Sequence, residues 1–268
     1  MNTETLTASQ TALITGAGTG IGRALAVLLA LRGYNLILMA RSNSRLEELK
    51  AILQARHPAQ KIHVVPSDVT DHERHMLQIK EACSHFATLD LLIANAGIGY
   101  KTNEWENTWV HSLHTFQTNL LGAVATIEAG KDIMLRQGFG HIVGISSIAS
   151  IRGLPQTSAY CASKAAFSVF MESLRTDVCA NHIAVTSIHP GFIKTPMTEK
   201  NGSMPWLMSA EKAADKIYRA IKKKKTRYFF PWQMMIFAKL CSLTPDFIFD
   251  LAMKLTRKRV RAFKKNRV

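Results

Sequence analysis

This chain has few cysteines, no linker-type segment and no long apolar run, and each of these absences argues against a class of protein. The four cysteines among 268 residues include no C-x-x-C pair, which argues against a zinc site and against a dense disulfide framework. No stretch rich in Pro, Gly or Ser divides the chain, and 47% hydrophobic residues exclude a mostly disordered protein. We therefore expect one folded domain with reduced thiols and no metal.

The sequence also lacks the signals of secretion and of membrane spanning. No basic segment followed by an apolar one occurs at the amino terminus. No run reaches the roughly 18 to 20 uninterrupted apolar residues that a spanning helix needs. Residues 229–243 come nearest, but Pro231, Gln233 and Lys239 interrupt them. We expect a cytoplasmic protein.

The net charge of +15 is concentrated near the carboxyl terminus. Residues 219–268 hold 15 Lys or Arg and two acids, Asp246 and Asp250, whereas the rest of the chain holds 19 basic and 17 acidic residues. The main domain therefore lacks the basic surface that nucleic-acid binding would require, and nucleic acid is not its expected partner.

Short apolar runs alternate with segments of helical periodicity. Nearly continuous apolar runs are typical of parallel strands that helices cover on both faces. The pattern predicts an α/β, doubly wound, mostly parallel sheet of the Rossmann type in three layers, with its ligand site beyond the carboxyl ends of the strands. The predicted strands are residues 11–15, 36–40, 62–65, 89–94, 141–145, 183–188 and 226–230.

A glycine-rich turn follows the first predicted strand and leads into a helix. It reads Thr15-Gly16-Ala17-Gly18-Thr19-Gly20-Ile21-Gly22. Glycines permit a tight turn and a close approach to a pyrophosphate, which the helix N-terminus would bind through its free N–H groups. A glycine-rich loop without any ligand is the alternative.

The residues after the second and third strands bear on the choice of nicotinamide cofactor. Ala40 occupies the position at which an NAD enzyme would place an acid, and Arg41 could bind a 2′-phosphate bidentately. This arrangement favours NADP(H), although Arg41 could also be a solvated arginine. Asp68 and Val69 follow the third strand, where a lone aspartate is otherwise often a turn or cap residue.

A tyrosine and a lysine four residues apart begin a later helical segment, so they share one helix face. They are Tyr160 and Lys164, and a nearby ammonium would lower the pKa of the phenol toward neutral pH. Ser147 ends the strand 13 residues earlier, with Ser146 as its neighbour. Asn119 lies in the long helical stretch before that strand. The tyrosine and lysine alone could equally be a surface pair.

Taken together, these motifs resemble the ordinary branch of the short-chain dehydrogenase/reductase family over residues 9–230. The resemblance implies that Tyr160 is the general acid in reduction and the base in oxidation. It further implies that Lys164 binds the nicotinamide ribose and lowers the tyrosine pKa, that Ser147 binds the substrate oxygen, and that Asn119 holds a water. Residues 94–97 read A-N-A-G where the family usually has N-N-A-G, a small departure at Ala94.

The resemblance also implies the cofactor contacts and the assembly. A homodimer or homotetramer would form through the helices that carry Asn119 and Tyr160. The implied NADP(H) contacts are Gly16, Thr19, Gly20, Ile21, Gly22, Arg41, Asp68, Val69, Asn95, Ala96, Gly97, Tyr160, Lys164, Pro190, Gly191 and Thr195.

Two apolar segments lie outside these motifs. Residues 192–208 are rich in methionine and correspond to the substrate lid of the family, which suggests a hydrophobic carbonyl substrate, unless they are only core packing. Residues 231–268 form a predicted helical extension beyond the catalytic domain, residues 1–230. Its apolar side chains and clustered cations fit peripheral attachment to an anionic membrane, or packing on the domain or on a sister subunit.

Two functional hypotheses follow. The first is an NADP(H)-dependent oxidoreductase that interconverts a carbonyl and a secondary alcohol, with Tyr160 as the general acid/base. The second is a non-catalytic NADPH-sensing or scaffold protein that its basic tail recruits to membrane or nucleic acid. The combination of Ser147, Tyr160 and Lys164 favours the enzyme, because a sensor has no chemical need for all three.

Overall fold

The structure is a computed structural model that describes residues 10–101, 108–199, 202 and 204–265, with side chains described as far as Leu255. Its strands are β1 (Thr11–Thr15), β2 (Asn35–Ala40), β3 (Ile62–Pro66), β4 (Leu91–Ala94), β5 (Gly140–Ile145), β6 (Ile183–Pro190), β7 (Ile193–Lys194), β8 (Met208–Ser209) and β9 (Arg227–Phe230). Its α-helices are α1 (Gly20–Leu31), α2 (Asn43–Arg56), α3 (His72–Ser84), α4 (Trp109–Phe116), α5 (Gly122–Gln137), α6 (Ser158–Asp177), α7 (Ala210–Lys222), α8 (Trp232–Leu243) and α9 (Asp246–Lys265).

Seven strands form one sheet in the order β3-β2-β1-β4-β5-β6-β9, and every neighbouring pair in it is parallel. The predicted doubly wound α/β fold is confirmed. The strand order reverses between β1 and β4, which is where folds of this type open a crevice for a ligand. The short strands β7 and β8 pair separately.

Alternating residues of the strands bury both faces of the sheet, which explains why the strands read as continuous apolar runs. In β1, Ala12 and Ile14 pack on the side of α1, α2 and α7, whereas Leu13 packs on the side of α3, α5 and α6. All three side chains are fully buried. The sheet is thus the middle layer of three.

Two predicted strands begin later than the sequence suggested: β9 by one residue, at Arg227, and β4 by two. Residues 89–94 form a predicted strand, but β4 begins at Leu91. The backbone N–H and C=O of Leu89 are hydrogen-bonded to the side chain of Gln137 rather than to a neighbouring strand. The Gln137 side chain thus replaces the backbone hydrogen bonds of a neighbouring strand at Leu89. The apolar pattern of the sequence does not predict this replacement.

The helical stretch that contains Asn119 is interrupted. A π-helical turn at Gln117–Leu121 separates α4 from α5. Such turns insert an extra residue and are frequent at functional sites. The turn changes which side chains face the sheet edge, and Asn119 becomes fully buried.

Three buried histidines make the fold sensitive to acid. Burial lowers the pKa values of His75, His141 and His189 to about 4, and each ring is hydrogen-bonded to a hydroxyl group. In the unfolded chain these groups titrate near 6.5, so unfolding takes up protons as the pH falls below that value, and stability is lost between pH 6.5 and pH 4. We expect a loss of about 2 kcal/mol per histidine by pH 5.

Urea unfolding at pH 8, 7, 6 and 5 measures this loss. The free energy of unfolding should be nearly constant between pH 8 and 7 and should fall steeply below pH 6.5. A free energy that stays flat from pH 7 to pH 5 would contradict the buried, neutral state of these rings.

Among the described residues, none of the helices combines the length and the apolar content that crossing a bilayer requires.

Candidate active site

A cleft of about 520 Å³ opens at the carboxyl edge of the sheet, where the loops after β1 and β4 diverge. The loops that follow β2, β3, β5 and β6 complete its wall. Predicted site residues that line it are Gly16, Thr19, Gly20, Ile21, Arg41, Asp68, Val69, Asn95, Ala96, Gly97, Ser147, Tyr160, Lys164, Pro190, Gly191 and Thr195. The structure therefore brings sixteen of the eighteen together.

The glycine-rich turn forms one end of the cleft, and two of its glycines are required there. Gly16 and Gly20 have φ values of +67° and +55°, which side-chain-bearing residues rarely adopt. A Cβ atom at Gly20 would lie 2.9 Å from Thr195 Cγ2, and one at Gly16 would lie 2.9 Å from Ala96 Cα. Glycine is therefore required at both positions by the backbone conformation and by close packing against the loops after β4 and β7.

The side chain of Asn95 fixes the loop after β4 against this turn. Its Nδ2 donates to Thr15 O at 2.9 Å and to Gly16 O at 3.3 Å. The Thr15 hydroxyl in turn accepts from the backbone N–H groups of Asn95 and Ala96. Asn95 is thus a structural clamp between β1 and β4 as well as a residue of the wall.

The end of β2 supplies positive charge to one corner of the cleft. Arg41 is exposed there, beside Ala40, and Arg45 lines the same corner from the first turn of α2. The hydroxyl of Ser42 caps α2 by accepting from the backbone N–H of Arg45. No carboxylate occupies position 40, and the two guanidinium groups of this corner can bind an anion.

Asp68 lines the same corner and also caps its own loop. Its Oδ1 accepts from the backbone N–H and the hydroxyl of Thr70 at 2.9 and 2.8 Å. Partial burial raises the pKa of Asp68, but the two Thr70 hydrogen bonds and the charge of Arg41 outweigh it and lower the pKa below its usual value. Asp68 is therefore a turn residue, as the sequence allowed, and it also lines the cleft.

Lys164 is buried, so it is not half of a surface pair. Its ammonium Nζ donates to Ile145 O at 2.9 Å, at the end of β5. The hydroxyl of Ser146 donates to Lys164 O and is hydrogen-bonded to Ser168, so Ser146 ties β5 to α6. Ser147, the next residue, lines the cleft as Ser146 does. It is the hydroxyl of Ser147 that is hydrogen-bonded with Tyr160.

The titration of the tyrosine and the lysine differs from the sequence-based expectation. Burial lowers the pKa of Lys164 to about 8, so the amine remains mostly charged at pH 7. Burial raises the pKa of Tyr160 above its ordinary value, and a hydrogen bond with Ser147 only partly opposes this. The lowered phenol pKa predicted from the ammonium is therefore not what the protein environment produces. The neutral phenol is the form that can donate a proton.

Asn119 and Gly22 lie behind the wall rather than in it. The Asn119 side chain accepts from Ile98 N at 2.8 Å and donates to Ile98 O at 2.9 Å and to the Ser163 hydroxyl at 3.2 Å. Asn119 thus joins the loop after β4 to α6. The junction lies near Lys164, since a Cβ at Gly97 would be 3.3 Å from Asn119 Oδ1 and 3.5 Å from Lys164 Nζ. Gly22 is buried and packs against the turn at Gly16.

Replacing Asn119 with alanine should destabilise the protein by about 2–4 kcal/mol, because it leaves both backbone groups of Ile98 without their partners in a partly buried loop. Urea unfolding of the variant measures the effect. Asn181→Ala, which truncates an exposed asparagine, is the matched control and should change stability little. Equal stabilities of the two variants would show that the Asn119 hydrogen bonds contribute nothing.

Several wall residues were not predicted from the sequence. Arg45 is one of them, and it lines the corner at Arg41 from the first turn of α2. Thr118 also lines the cleft, and its buried hydroxyl has no hydrogen-bond partner among the residues that the structure describes. Further unpredicted wall residues include Ser67, Ile98, Gly99, Tyr100, Ile145 and Ser146. Ile193, Pro196, Met197 and Thr198 also line the cleft and belong to the predicted lid.

The predicted lid is described only in part, since residues 200, 201 and 203 lie outside the described residues. Its base is closed by the pairing of Ile193 in β7 with Met208 in β8. Met197 faces the cleft, whereas Trp206 and Leu207 are about half exposed. The segment is therefore not simply core packing.

No metal site emerges within the described ranges, where no three His, Cys, Asp or Glu side chains cluster suitably. All four cysteines carry free thiols, and Cys83 and Cys161 are buried.

The geometry can be compared with known proteins. Residues 10–206 match the sequence model of the family described as short chain dehydrogenase. The chain belongs to this family. An uncharacterized oxidoreductase of Myxococcus xanthus is 37% identical over 249 residues, which cover 92% of this chain and 98% of that protein.

Solved structures of two dehydrogenases superpose on most of the chain. The alcohol dehydrogenase of the archaeon Thermococcus sibiricus, complexed with 5-hydroxy-NADP, has a TM-score of 0.73 and 27% identity and covers 82% of this chain and 94% of its own. A short chain dehydrogenase of Mycobacterium paratuberculosis bound to NAD has a TM-score of 0.75 and 25% identity and covers 82% and 95%. The fold is thus shared by proteins that bind either dinucleotide.

Proposed function

We propose that this short-chain dehydrogenase is an NADP(H)-dependent oxidoreductase that interconverts a hydrophobic ketone and its secondary alcohol. The observation that carries the proposal is that Ser147, Tyr160 and Lys164 line the same cleft as the glycine-rich turn and Arg41. One end of the cleft thus fits a phosphorylated dinucleotide, and the other end offers a proton donor.

The cleft fits a dinucleotide in its shape and in its polar groups. The glycine-rich turn lines the cleft before the N-terminus of α1, where unpaired N–H groups favour an anion such as a pyrophosphate. The buried Thr118 hydroxyl, which has no partner among the described residues, supplies a further group for a polar ligand. A reduced nicotinamide bound in this cleft would supply the hydride for the carbonyl carbon.

The protein's own contribution to the chemistry is the handling of a proton and of a developing charge. The phenol of Tyr160 is neutral at pH 7 and can donate its proton to the oxygen that becomes the alcohol. Ser147, which interacts with Tyr160, can hold the same oxygen through its hydroxyl. The Lys164 ammonium, buried and fixed to Ile145 O, stabilises negative charge that develops nearby.

The preference for NADP(H) rests on the corner formed by Ala40, Arg41 and Arg45. Two guanidinium groups there and the lack of an acid at position 40 favour a 2′-phosphate over a free 2′-hydroxyl, and the Asp68 carboxylate is already hydrogen-bonded to Thr70. The related structures contain both cofactor types, so the charge of this corner is the argument for NADP(H).

The hydrophobic character of the substrate rests on the wall near Tyr160. Gly99 lies close to the Tyr160 ring and to Met197, since a Cβ there would be 3.5 Å from Tyr160 Cδ2 and 3.5 Å from Met197 Sδ. Ile98 and Ile193 add further apolar lining to the cleft. Apolar walls with a few placed polar groups are typical of sites for small apolar molecules.

The test is consumption of NADPH by the purified full-length protein with a panel of lipophilic ketones and quinones, followed by absorbance of the reduced cofactor. We expect turnover of at least one panel member, with NADH used more slowly. NADPH binding without any turnover across the panel in either direction would favour a sensor and would contradict the proposal.

A further inference from the structure

The last two helices expose an unusual amount of apolar surface. Nine large side chains there have exposed fractions of 44–81%. We call them the C-terminal apolar surface: Trp232, Ile236, Phe237, Leu240 and Leu243 of α8, and Phe247, Ile248, Leu251 and Leu255 of α9. Monomeric domains rarely leave so many large apolar groups uncovered in one region, and such patches mark interaction sites.

The exposed residues follow helical spacing, so each helix has an uncovered apolar face. In α8, Trp232, Ile236, Leu240 and Leu243 are separated by three or four residues and share a face. In α9, Phe247, Leu251 and Leu255 do the same. The inward positions, such as Met234 and Cys241 in α8, are partly buried instead.

Arg152 holds the junction of the two helices in place. Its Nη1 donates to Cys241 O at 2.6 Å and to Thr244 O at 2.8 Å, at the carboxyl end of α8. Its Nη2 binds Asp246 Oδ1 at 2.8 Å, and its guanidinium lies 4.1 Å from the centre of the Phe249 ring. A guanidinium satisfied by carbonyls, a carboxylate and an aromatic face is a specific clamp. The two apolar faces are therefore presented by a fixed turn.

Charge decides which partner fits this surface. Residues 219–268 contain 15 Lys or Arg and two acids, and one of those acids, Asp246, is already paired with Arg152. A second copy of this chain seated on the surface would bring two strongly cationic segments together, which is unfavourable. Nucleic acid would satisfy the cations but would leave the apolar side chains exposed. An anionic lipid surface satisfies both, since cations bind headgroups while apolar side chains enter the acyl boundary.

We propose that α8 and α9 bind the protein peripherally to membranes that contain anionic lipids, through the C-terminal apolar surface and the surrounding cations. Lys239 and Lys254 are exposed cations within the two helices. The apolar residues supply depth of insertion, and the cations supply the preference for anionic headgroups.

Membrane binding would place the active-site cleft beside the bilayer, a consequence that rests on the proposed function. The helix α8 packs against the turn Ile148–Ser150, which directly follows Ser147. Pro231, which immediately precedes α8, also lies against the loop after β6, because a Cβ at Gly191 would lie 3.1 Å from Pro231 Cδ. A lipophilic ketone could then enter from the membrane rather than through water.

Flotation of the full-length protein with lipid vesicles tests the binding and does not depend on catalysis. We expect flotation with vesicles of phosphatidylcholine mixed with phosphatidylglycerol at low salt, weakening as salt rises, and little flotation with phosphatidylcholine alone. Leu240→Asp combined with Leu251→Asp should weaken binding at least about 10-fold. Lys239→Glu combined with Lys254→Glu should also weaken it about 10-fold at low salt.

The matched control is Leu31→Asp combined with Leu77→Asp, which changes two leucines of similar exposure on α1 and α3 and should leave flotation unchanged. Absence of flotation with anionic vesicles at low salt would overturn the proposal. Wild-type flotation of the Leu240/Leu251 variant would overturn it too. A third contradicting result would be a wild-type protein that is a dimer and binds no vesicles, together with a Leu240/Leu251 variant that is a monomer. The surface would then be an interface between two copies of the chain.

Discussion

Replacement of Tyr160 by phenylalanine should lower kcat for ketone reduction by about 10²- to 10⁴-fold, which is the usual contribution of a positioned general acid. The substitution removes one oxygen atom and keeps the ring that packs near Gly99. Burial already keeps the phenol protonated, so the variant loses the donor itself rather than a favourable ionisation state. The affinity for NADPH should be nearly unchanged, because the ring and the neighbouring wall remain.

Steady-state kinetics together with direct NADPH titration separates these two effects. Tyr218→Phe in α7, outside the cleft wall that the structure describes, is the matched control and should keep wild-type kcat. Unchanged turnover in the Tyr160 variant would remove this residue from the mechanism. A loss of NADPH affinity equal to the loss of kcat would instead assign it a structural role in binding.

The second large effect concerns the choice of cofactor. Arg41→Ala should raise the dissociation constant of NADPH about 10- to 100-fold, because a charge-assisted hydrogen bond to the 2′-phosphate is lost. NADH lacks that phosphate, so its dissociation constant should change little. Arg45→Ala should act in the same direction, since Arg45 lines the same corner.

Calorimetric titration of each variant with both cofactors measures the change in preference. Arg56→Ala, at the exposed end of α2, is the control for removal of an arginine from this region. Parallel weakening of NADPH and NADH in the Arg41 variant would show that Arg41 supports the fold of the cleft rather than the 2′-phosphate.

The architecture was largely predictable because its signals are local and periodic. The strand at residues 11–15 was predicted with the bounds that it has in the structure, since five consecutive buried residues leave no polar interruption. The glycine-rich turn was also predictable, because its glycines stand where the backbone adopts positive φ values, which favour glycine. The later start of β4 was not predictable, because a single side chain, Gln137, determines it from 48 residues away.

Most residues of the site were predictable from the sequence, but their burial and the direction of their pKa shifts were not. Spacing places Tyr160 and Lys164 on one helix face, yet only the packing of α6 against β5 shows that the lysine is buried and bound to Ile145 O. Desolvation of Tyr160 itself raises its pKa, whereas the sequence suggested the opposite direction. Thr118 was not predicted, because no sequence motif distinguishes it. Only the structure shows that its hydroxyl is buried without a hydrogen-bond partner among the described residues.

The central claim is that the cleft joins a dinucleotide to a carbonyl substrate at Tyr160. The most direct measurement uses NADPH that carries deuterium at the transferable position of its reduced ring, with mass spectrometry of the alcohol formed from a lipophilic ketone. The account predicts one deuterium on the carbinol carbon with the wild-type protein, and at least about 100-fold slower labelling with Tyr160→Phe. NADPH that binds without labelling any product, or equal labelling rates in the two proteins, would contradict it.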